Sequence, residues 1–277
     1  HISGVDCIVE GKNLPLVEVP PAEPRGADAQ IARHILNEIE DGATLQLGIG
    51  GLPNTIGRLL AGSDLKDLGI HTEMLVDSCV DLYEAGRVTG RLKSVDRFKM
   101  TYTFALGTKK LYDFMHMNPT CASYPVNFVN DPRVIAFNPK VIAINNALEI
   151  DLYSQVCSES AGTRQISGTG GQLDFIFGAF QSKGGKGIIS LSSTFTEADG
   201  TVRSRIVPWL RPGSVVTIPR SIVHYVATEY GIVQLKGLST WERAEKLIGI
   251  AHPDFRDGLV KQADEMKIWV RTNRIPD

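Results

Sequence analysis

An α/β fold on a largely parallel sheet is what this chain predicts, and two observations carry the prediction. Short apolar runs alternate with stretches of helical spacing along most of its 277 residues, with glycine, proline, asparagine and aspartate at the joints. Late in the chain, paired strand-like runs around EADGTV add a hairpin-rich portion. There is no internal repeat and no low-complexity segment.

In chain order, LPLVEVPPAEPRGADA at 14–29 is proline-rich and reads as a linker or domain boundary. From Asp28 the spacing of Ile31, Ile35, Leu36 and Ile39 predicts one apolar helix face, ended by Asp41-Gly42. ATLQLGIGGLPNTIGRLL at 43–60 predicts a strand over Thr44 to Ile49, a glycine turn and a helix. LGIHTEMLVDSCVDLYEAG at 68–86 begins as a strand and passes into an irregular turn. SVDRFKMTYTFALG alternates like a strand near Met100 to Phe104, and TKKLYDFMHMNP predicts a short amphipathic helix stopped by Pro119. KVIAINNALEIDLYSQVCSES reads as two β-rich runs around Asn145-Asn146. QLDFIFGAFQS predicts a helix, GKGIISLSSTF a buried strand, and RIVPWL and SVVTIP two strands beyond the hairpin signal. HYVATEYGIVQL and two final helices, TWERAEKLIGIA and FRDGLVKQADEMK, close the chain.

Composition narrows the function classes. Hydrophobic residues make up 43% and charged ones 22%, as in an ordinary globular protein with ample core. A net charge of −2 provides no basic balance for nucleic acid or anionic lipid. Cys7, Cys79, Cys121 and Cys157 are spread widely with no CxxC pair, which reads as reduced thiols in a cytosolic protein. No apolar run approaches the ~20 residues of a membrane span, and HISGVDCIVEG lacks the basic start and apolar region of a signal peptide. A first residue that is His reads as a piece of a longer protein. No histidine pair has metal-ligand spacing, so no metal is expected.

The glycine turn admits two chemistries. Gly48 and Gly50 match the first two glycines of a dinucleotide fingerprint, with Glu73 in the place of the ribose-binding acid. Pro53, however, stands where that motif needs a glycine for close packing. In the second reading the N–H groups of Gly50, Gly51 and Leu52 point at an oxyanion, Pro53 fixes the turn, and Asn54 caps the helix. Such donors contribute about 3–4 kcal/mol each to a tetrahedral intermediate, and Glu73 at the end of the adjacent strand is placed as nucleophile.

GIGGLPN, GIHTEM, VNFVNDPRVIAFNP, INNALEIDLYSQVCSES and SGTGGQLDFIFGA together resemble the acetyl-CoA hydrolase/transferase family, in its 4-hydroxybutyrate and butyryl CoA-transferase branch. The resemblance runs from about residue 1 to the C-terminus. It implies a CoA-transferase (NagB/RpiA-like) fold, with 1–27 a linker from an N-terminal α/β domain and 28–277 the catalytic C-terminal domain. It implies Glu73 as nucleophile and Asn130 near the reacting carboxylate. It assigns Gly50, Gly51, Leu52, Pro53 and Asn54 to one CoA and oxyanion loop, and Gly170 and Gly171 to a second CoA loop. Where relatives carry a lysine for CoA phosphate, this chain has Ala198, which leaves Lys183 or Lys186 as substitutes. Coenzyme A is then a substrate, not a resident cofactor, and a cytoplasmic homodimer acting on an acyl-CoA and a short-chain carboxylate is implied.

Plainer readings stand beside these. Glu159 in CSES is the rival nucleophile, while Glu149 and Asp151 read as hydrogen-bonded structure. His71 shares a strand face with Glu73 and is either structural or tunes that carboxylate. Tyr102 and Phe104 read as core, and Arg203 and Arg205 as a solvated face, one of which could meet a CoA phosphate. GxSxG is absent, which argues against a serine hydrolase. The function expected is CoA transfer by double displacement at Glu73. Thioester hydrolysis on the same site, an NAD(P)-dependent oxidoreductase and a non-catalytic metabolite sensor are the alternatives.

Overall fold

One eight-stranded sheet carries the fold. Its strands are β1 (Thr44–Gln46), β2 (Gly69–His71), β3 (Met100–Tyr102), β4 (Cys121–Ser123), β5 (Val141–Asn146), β6 (Lys186–Ser190), β7 (Tyr225–Thr228) and β8 (Gly231–Gln234). They lie side by side in the order β8-β7-β6-β5-β1-β2-β3-β4. Every neighbouring pair is parallel except β7 and β8, which form an antiparallel hairpin. The computed structural model describes residues 5–20, 22–24 and 26–269. Residues 1–4, 21 and 25 of the expected linker and 270–277 of the expected catalytic domain therefore lie outside the described residues.

Strands covered on both faces need apolar side chains on both, and these have them. Ile142 and Ile144 of β5 and Ile188 of β6 point into a first core, with Ile31, Ile35, Ile56, Leu60 and Val80. Their sequence neighbours Val141, Ala143 and Ile189 point into a second, with Ile135, Phe175, Ile176, Leu247 and Leu259. The alternation of side chains along a strand thus sorts the helices to two faces. Helices α1 (Asp28–Leu36), α2 (Gly51–Ala61) and α3 (Asp77–Glu84) contribute to the first core, and α4 (Lys109–Met115) adds Leu111 to it. On the other face lie α6 (Pro132–Phe137), which follows the one-turn α5 (Val126–Val129), and α7 (Gln172–Gln181), α8 (Thr240–Gly249) and α9 (Pro253–Glu265).

Several expectations change in detail. The first helix stops at Leu36, before Asp41-Gly42, although Ile39 still reaches the first core. The strand expected to Ile49 ends at Gln46. SVVTIP forms no strand; a single bridge between Val156 and Ile218 is its only pairing. Three helices were not foreseen. α3 replaces the irregular turn, with Cys79, Val80 and Leu82 on its buried face. α5 and α6 lie within VNFVNDPRVIAFNP, where Asp131 accepts the Arg133 N–H as N-cap and Pro132 opens α6. The hairpin at EADGTV is present as Thr194–Thr196 paired with Val202–Ser204. Ahead of α1, the described residues of the proline-rich stretch form no helix or strand but are bound to the domain. The Val19 N–H donates to Gly107 O at 3.0 Å and Tyr112 Oη to Val17 O at 2.7 Å.

The sheet order has one functional consequence. β1 connects onward to β2 on one side, and its other neighbour, β5, comes much later in the chain. That reversal opens a crevice beyond the carboxyl ends of the strands, where open α/β sheets bind ligands.

Candidate active site

Glu73 lies in that crevice, two residues after β2. Its backbone is fixed before its side chain does anything. The Glu73 carbonyl accepts the N–H groups of Thr103 and Phe104 at 3.0 and 3.2 Å. Preceding it, buried Thr72 donates its hydroxyl to Leu47 O at 3.2 Å, tying the joint to the end of β1. The half-buried carboxylate is met from two directions. Asn130 Nδ2 donates to Glu73 Oε2 at 2.7 Å. Gly171, the N-cap of α7, presses against the same oxygen: a Cβ there would land on Oε2 and sit 2.5 Å from Asn130 Nδ2. Only glycine fits. The carboxylate thus lies at the start of a ten-residue helix, where free N–H groups and the helix dipole favour negative charge. Gly170, at φ +54°, supplies the left-handed turn that brings the chain in.

Space for a substrate adjoins the carboxylate. A cleft of ≈ 780 Å³ is lined by Glu73, Asn130, Thr169, Gly170, Asp174 and Phe177, among others. A smaller one of ≈ 200 Å³, reaching Gln46, Gly48 and Asn145, also touches Glu73 and Gly171. Among the described residues no group of three or more His, Cys, Asp or Glu side chains could hold a metal ion.

Asn130 in turn is held from behind. His71 is buried; its Nε2 donates to Val129 O at 2.8 Å, and Nδ1 accepts from Asn138 Nδ2 at 3.3 Å. Burial pushes this imidazole down to about 4, so it is neutral at physiological pH, as that bonding pattern requires. His71 is therefore structural: it fixes the backbone that delivers Asn130, and its bonds do not go to Glu73.

The two glycine loops part company here. The structure brings Gly170, Gly171, Asn130 and Glu73 together, while the first loop meets other neighbours. Gly50, at φ +126°, is the glycine-only N-cap of α2, so Asn54 is not the cap. Asn54 instead donates its side-chain N–H to Ala22 O at 3.2 Å. A Cβ on Gly51 would come within 2.7 Å of both Glu23 O and Asp28 Oδ2. Leu52 and Pro53 are buried. The close approach that requires Gly51 is thus to the chain's own segment 23–28.

Other expectations resolve individually. The rival Glu159 is buried, accepts the Thr217 hydroxyl at 3.0 Å, and through its carbonyl anchors the N–H groups of Ile166 and Ser167, at the start of the SGTGG loop. Glu149 pairs with Arg211 at 2.5 Å, and Asp151 accepts both N–H groups offered by Gln155, so both are structural. Tyr102 is core, but Phe104 is 41% exposed, because its short strand lies in a two-stranded ladder outside the main sheet. Arg203 is a solvated residue paired with Glu197, whereas Arg205 is half-buried, donates to Leu148 O at 2.9 Å and stacks over Phe195. Lys186 begins β6, at the opposite end of the strands from Glu73, and is engaged by Glu38 at 2.8 Å. Sequence reasoning passed over Asp174. It sits in the first turn of α7 beside Glu73, and burial raises its pKa first, with Glu73 and Asp131 adding to the rise and the Asn130 side chain opposing it. An acid in the first turn of a helix is so ordinary that it carried no separate signal.

Comparison with known proteins bears on this arrangement. The model of the acetyl-CoA hydrolase/transferase C-terminal domain matches residues 107–263. The chain is 53% identical to butyryl-CoA:acetate CoA-transferase from Anaerostipes caccae over 99% of its own length and 62% of that protein's. It is 47% identical to 4-hydroxybutyrate coenzyme A transferase from Clostridium kluyveri, over 95% of this chain and 60% of the relative. Among solved structures it is similar to 4-hydroxybutyrate CoA-transferase from Porphyromonas gingivalis, with a TM-score of 0.77 and 40% identity over 91% of this chain and 58% of that one. The chain spans about three fifths of the length of these relatives. By sequence and by architecture, the chain belongs to the acetyl-CoA hydrolase/transferase family.

Proposed function

We propose that the protein carrying this chain transfers CoA between an acyl-CoA and a short-chain carboxylate, with Glu73 as the covalent nucleophile. One observation carries the reading: Glu73 Oε2 is held at 2.7 Å by Asn130 Nδ2, against the glycine N-cap of α7 and beside an open cleft. That is an ionisable oxygen nucleophile with donors already aimed at its own carbonyl.

The steps follow from this placement. A Glu73 oxygen attacks the acyl carbonyl; a C–O bond forms, the C–S bond breaks, and CoA leaves as thiolate. The thiolate then attacks the glutamyl carbonyl of the resulting anhydride, releasing the first carboxylate and leaving Glu73 as a CoA thioester. The acceptor carboxylate attacks that thioester carbonyl and expels the thiolate. Attack of the thiolate on the new acyl carbonyl yields the product acyl-CoA and restores the Glu73 carboxylate. Asn130 Nδ2 and the first N–H groups of α7 serve the two steps in which an oxyanion forms on the glutamyl carbonyl. The SGTGG loop around Gly170 and Gly171 and the cleft beside it receive the CoA arm and drive the reacting end into place. Water exclusion separates transfer from hydrolysis of the same intermediate.

The remaining residues of a full-length protein supply an N-terminal domain ahead of residues 1–27, and a cytoplasmic homodimer with no resident cofactor completes the reading. Mass spectrometry of full-length protein incubated with acyl-CoA tests it. Borohydride is expected to reduce the thioester at Glu73 to an alcohol, and hydroxylamine to trap it as a hydroxamate. Full turnover with neither label would overturn the covalent route, and free acid without acceptor dependence would make the enzyme a hydrolase.

A further inference from the structure

The contact between Glu73 and Asn130 leaves two features unexplained. Asn130 is buried, yet its Oδ1 has no hydrogen-bond partner. A second carboxylate, Asp174, lines the same cleft as Glu73 although like charges repel there. One arrangement accounts for both. The Asn130 amide nitrogen carries two hydrogens; Glu73 Oε2 takes one at 2.7 Å, and the other is available to the Asp174 carboxylate, which lines the same cleft and is favoured in its charged form by the Asn130 side chain. Two carboxylates on one side force the nitrogen toward the cleft and strand the oxygen inside.

We propose that Asp174 is a positioning residue, which keeps the Asn130 amide nitrogen turned toward the glutamyl carbonyl once Glu73 has lost its charge. This rests on Glu73 being the nucleophile. In the resting enzyme the Glu73 carboxylate orients the amide itself. In the anhydride and the CoA thioester that group is neutral, and a neutral carbonyl holds an N–H less strongly than a carboxylate does. With Oδ1 unpartnered, nothing on the far side of the amide opposes a flip. A flipped amide would aim an acceptor at the carbonyl where an oxyanion develops. Asp174 keeps its charge through the change and repels that flip. Among the described residues lining the cleft, the base is Arg133, and Asp131 engages it at 2.7 Å. His71 fixes the backbone of this segment through Val129, and Asp174 fixes the side chain.

The test uses the full-length protein and two variants, with glutamyl-CoA thioester accumulated on excess acyl-CoA and quantified by borohydride labelling. Its decay is followed with acceptor carboxylate and separately with hydroxylamine, a small neutral nucleophile that attacks the same carbonyl without using the acceptor's binding contacts. Asp174→Ala is expected to slow both decays by the same factor, about 10²-fold, the worth of one oxyanion donor. KM for acyl-CoA should stay near the wild-type value, and Asp174→Glu should recover most of the rate. After correction for protonation of hydroxylamine itself, the wild-type reaction should carry an acid limb from protonation of Asp174, which faces Glu73, Asp131 and the Asp131-paired Arg133, and Asp174→Ala should lack it. Unchanged hydroxylamine reactivity in Asp174→Ala, a slowing confined to the acceptor, or a loss that Asp174→Glu does not recover would each overturn the positioning role. Absence of any label on active wild-type enzyme would overturn the Glu73 reading and this one with it.

Discussion

Two turns in this molecule look alike in sequence and behave differently in space. LGIGGLPN leads from β1 into α2, and SGTGGQLD leads into α7; each places glycines at a helix N-terminus. At the second, the atom that forbids a Cβ belongs to Glu73; at the first, Gly51 is pressed by Glu23 and Asp28. A glycine before a helix therefore reports that something approaches closely, not what approaches. The neighbour decides what the turn serves.

Substitutions can break this comparison, the largest effect coming at the carboxylate. Glu73→Ala removes the proposed nucleophile and is expected to take turnover and both covalent labels to background, whereas Glu159→Ala is expected to keep the label at Glu73 and lower the melting temperature. Labelling at Glu159 would reverse the assignment. Asn130→Ala should reduce kcat by about 10²–10³-fold, as loss of one oxyanion donor does; a kcat within a factor of a few would remove Asn130 from the chemistry.

The glycines give the direct contrast. Gly171→Ala forces a carbon onto Glu73 Oε2, and displacement of a reacting group by about 1 Å can reduce rate by about 10²-fold. Gly51→Ala meets backbone of the 23–28 segment, so the expected change is overpacking that lowers stability by about 1–3 kcal/mol, with a smaller effect on kcat than Gly171→Ala. Parallel kinetics and thermal melts separate the two; a larger rate loss at Gly51 would make the first loop the reacting one.

The smallest effect is on stability against pH. Burial is the first cause that pushes His71 and His224 down to about 4, and Lys236 and Lys186 add to the depression at His224. Unfolded histidine titrates near 6.5, so between about 6.5 and 4 the unfolded chain binds protons that the folded one does not. Stability is then full above about 6.5 and declines as pH falls toward 4. His224→Phe, at a residue that lines neither cleft beside Glu73, should flatten that decline without altering the pH dependence of labelling at Glu73. A slope identical to wild type would show that His224 titrates normally.

How much of this was legible depends on range. The apolar periods of the helices and buried strands predicted α1, α2, α4, α7, α8 and α9, because those signals are local. Two of the three helices that went unforeseen are too short to carry such a period: α5 has four residues and α6 six, and both are stabilised by what they pack against. SVVTIP has the composition of a strand, yet only one bridge reaches it; β-propensity reports a fit to neighbours that the chain itself must bring.

By itself, then, the amino-acid sequence determined the alternation of elements, the two faces of the sheet, and the identity of the family, all written in local pattern or in long ordered motifs. It also pointed to Glu73, Asn130, the 50–54 loop, Gly170 and Gly171 as site residues, of which the structure brings Glu73, Asn130, Gly170 and Gly171 together. What only the tertiary structure decided is who meets whom. Asn130 and Glu73 are 57 residues apart in sequence, and their hydrogen bond exists because β2 and the α5–α6 segment converge at one end of the sheet. The covering of Gly51 by segment 23–28, the second carboxylate of Asp174 and the neutral His71 behind Asn130 are likewise matters of convergence. Side-chain period fixes which way a residue points, but a site is an intersection of directions from distant segments, and strand order in the folded sheet sets where those directions cross.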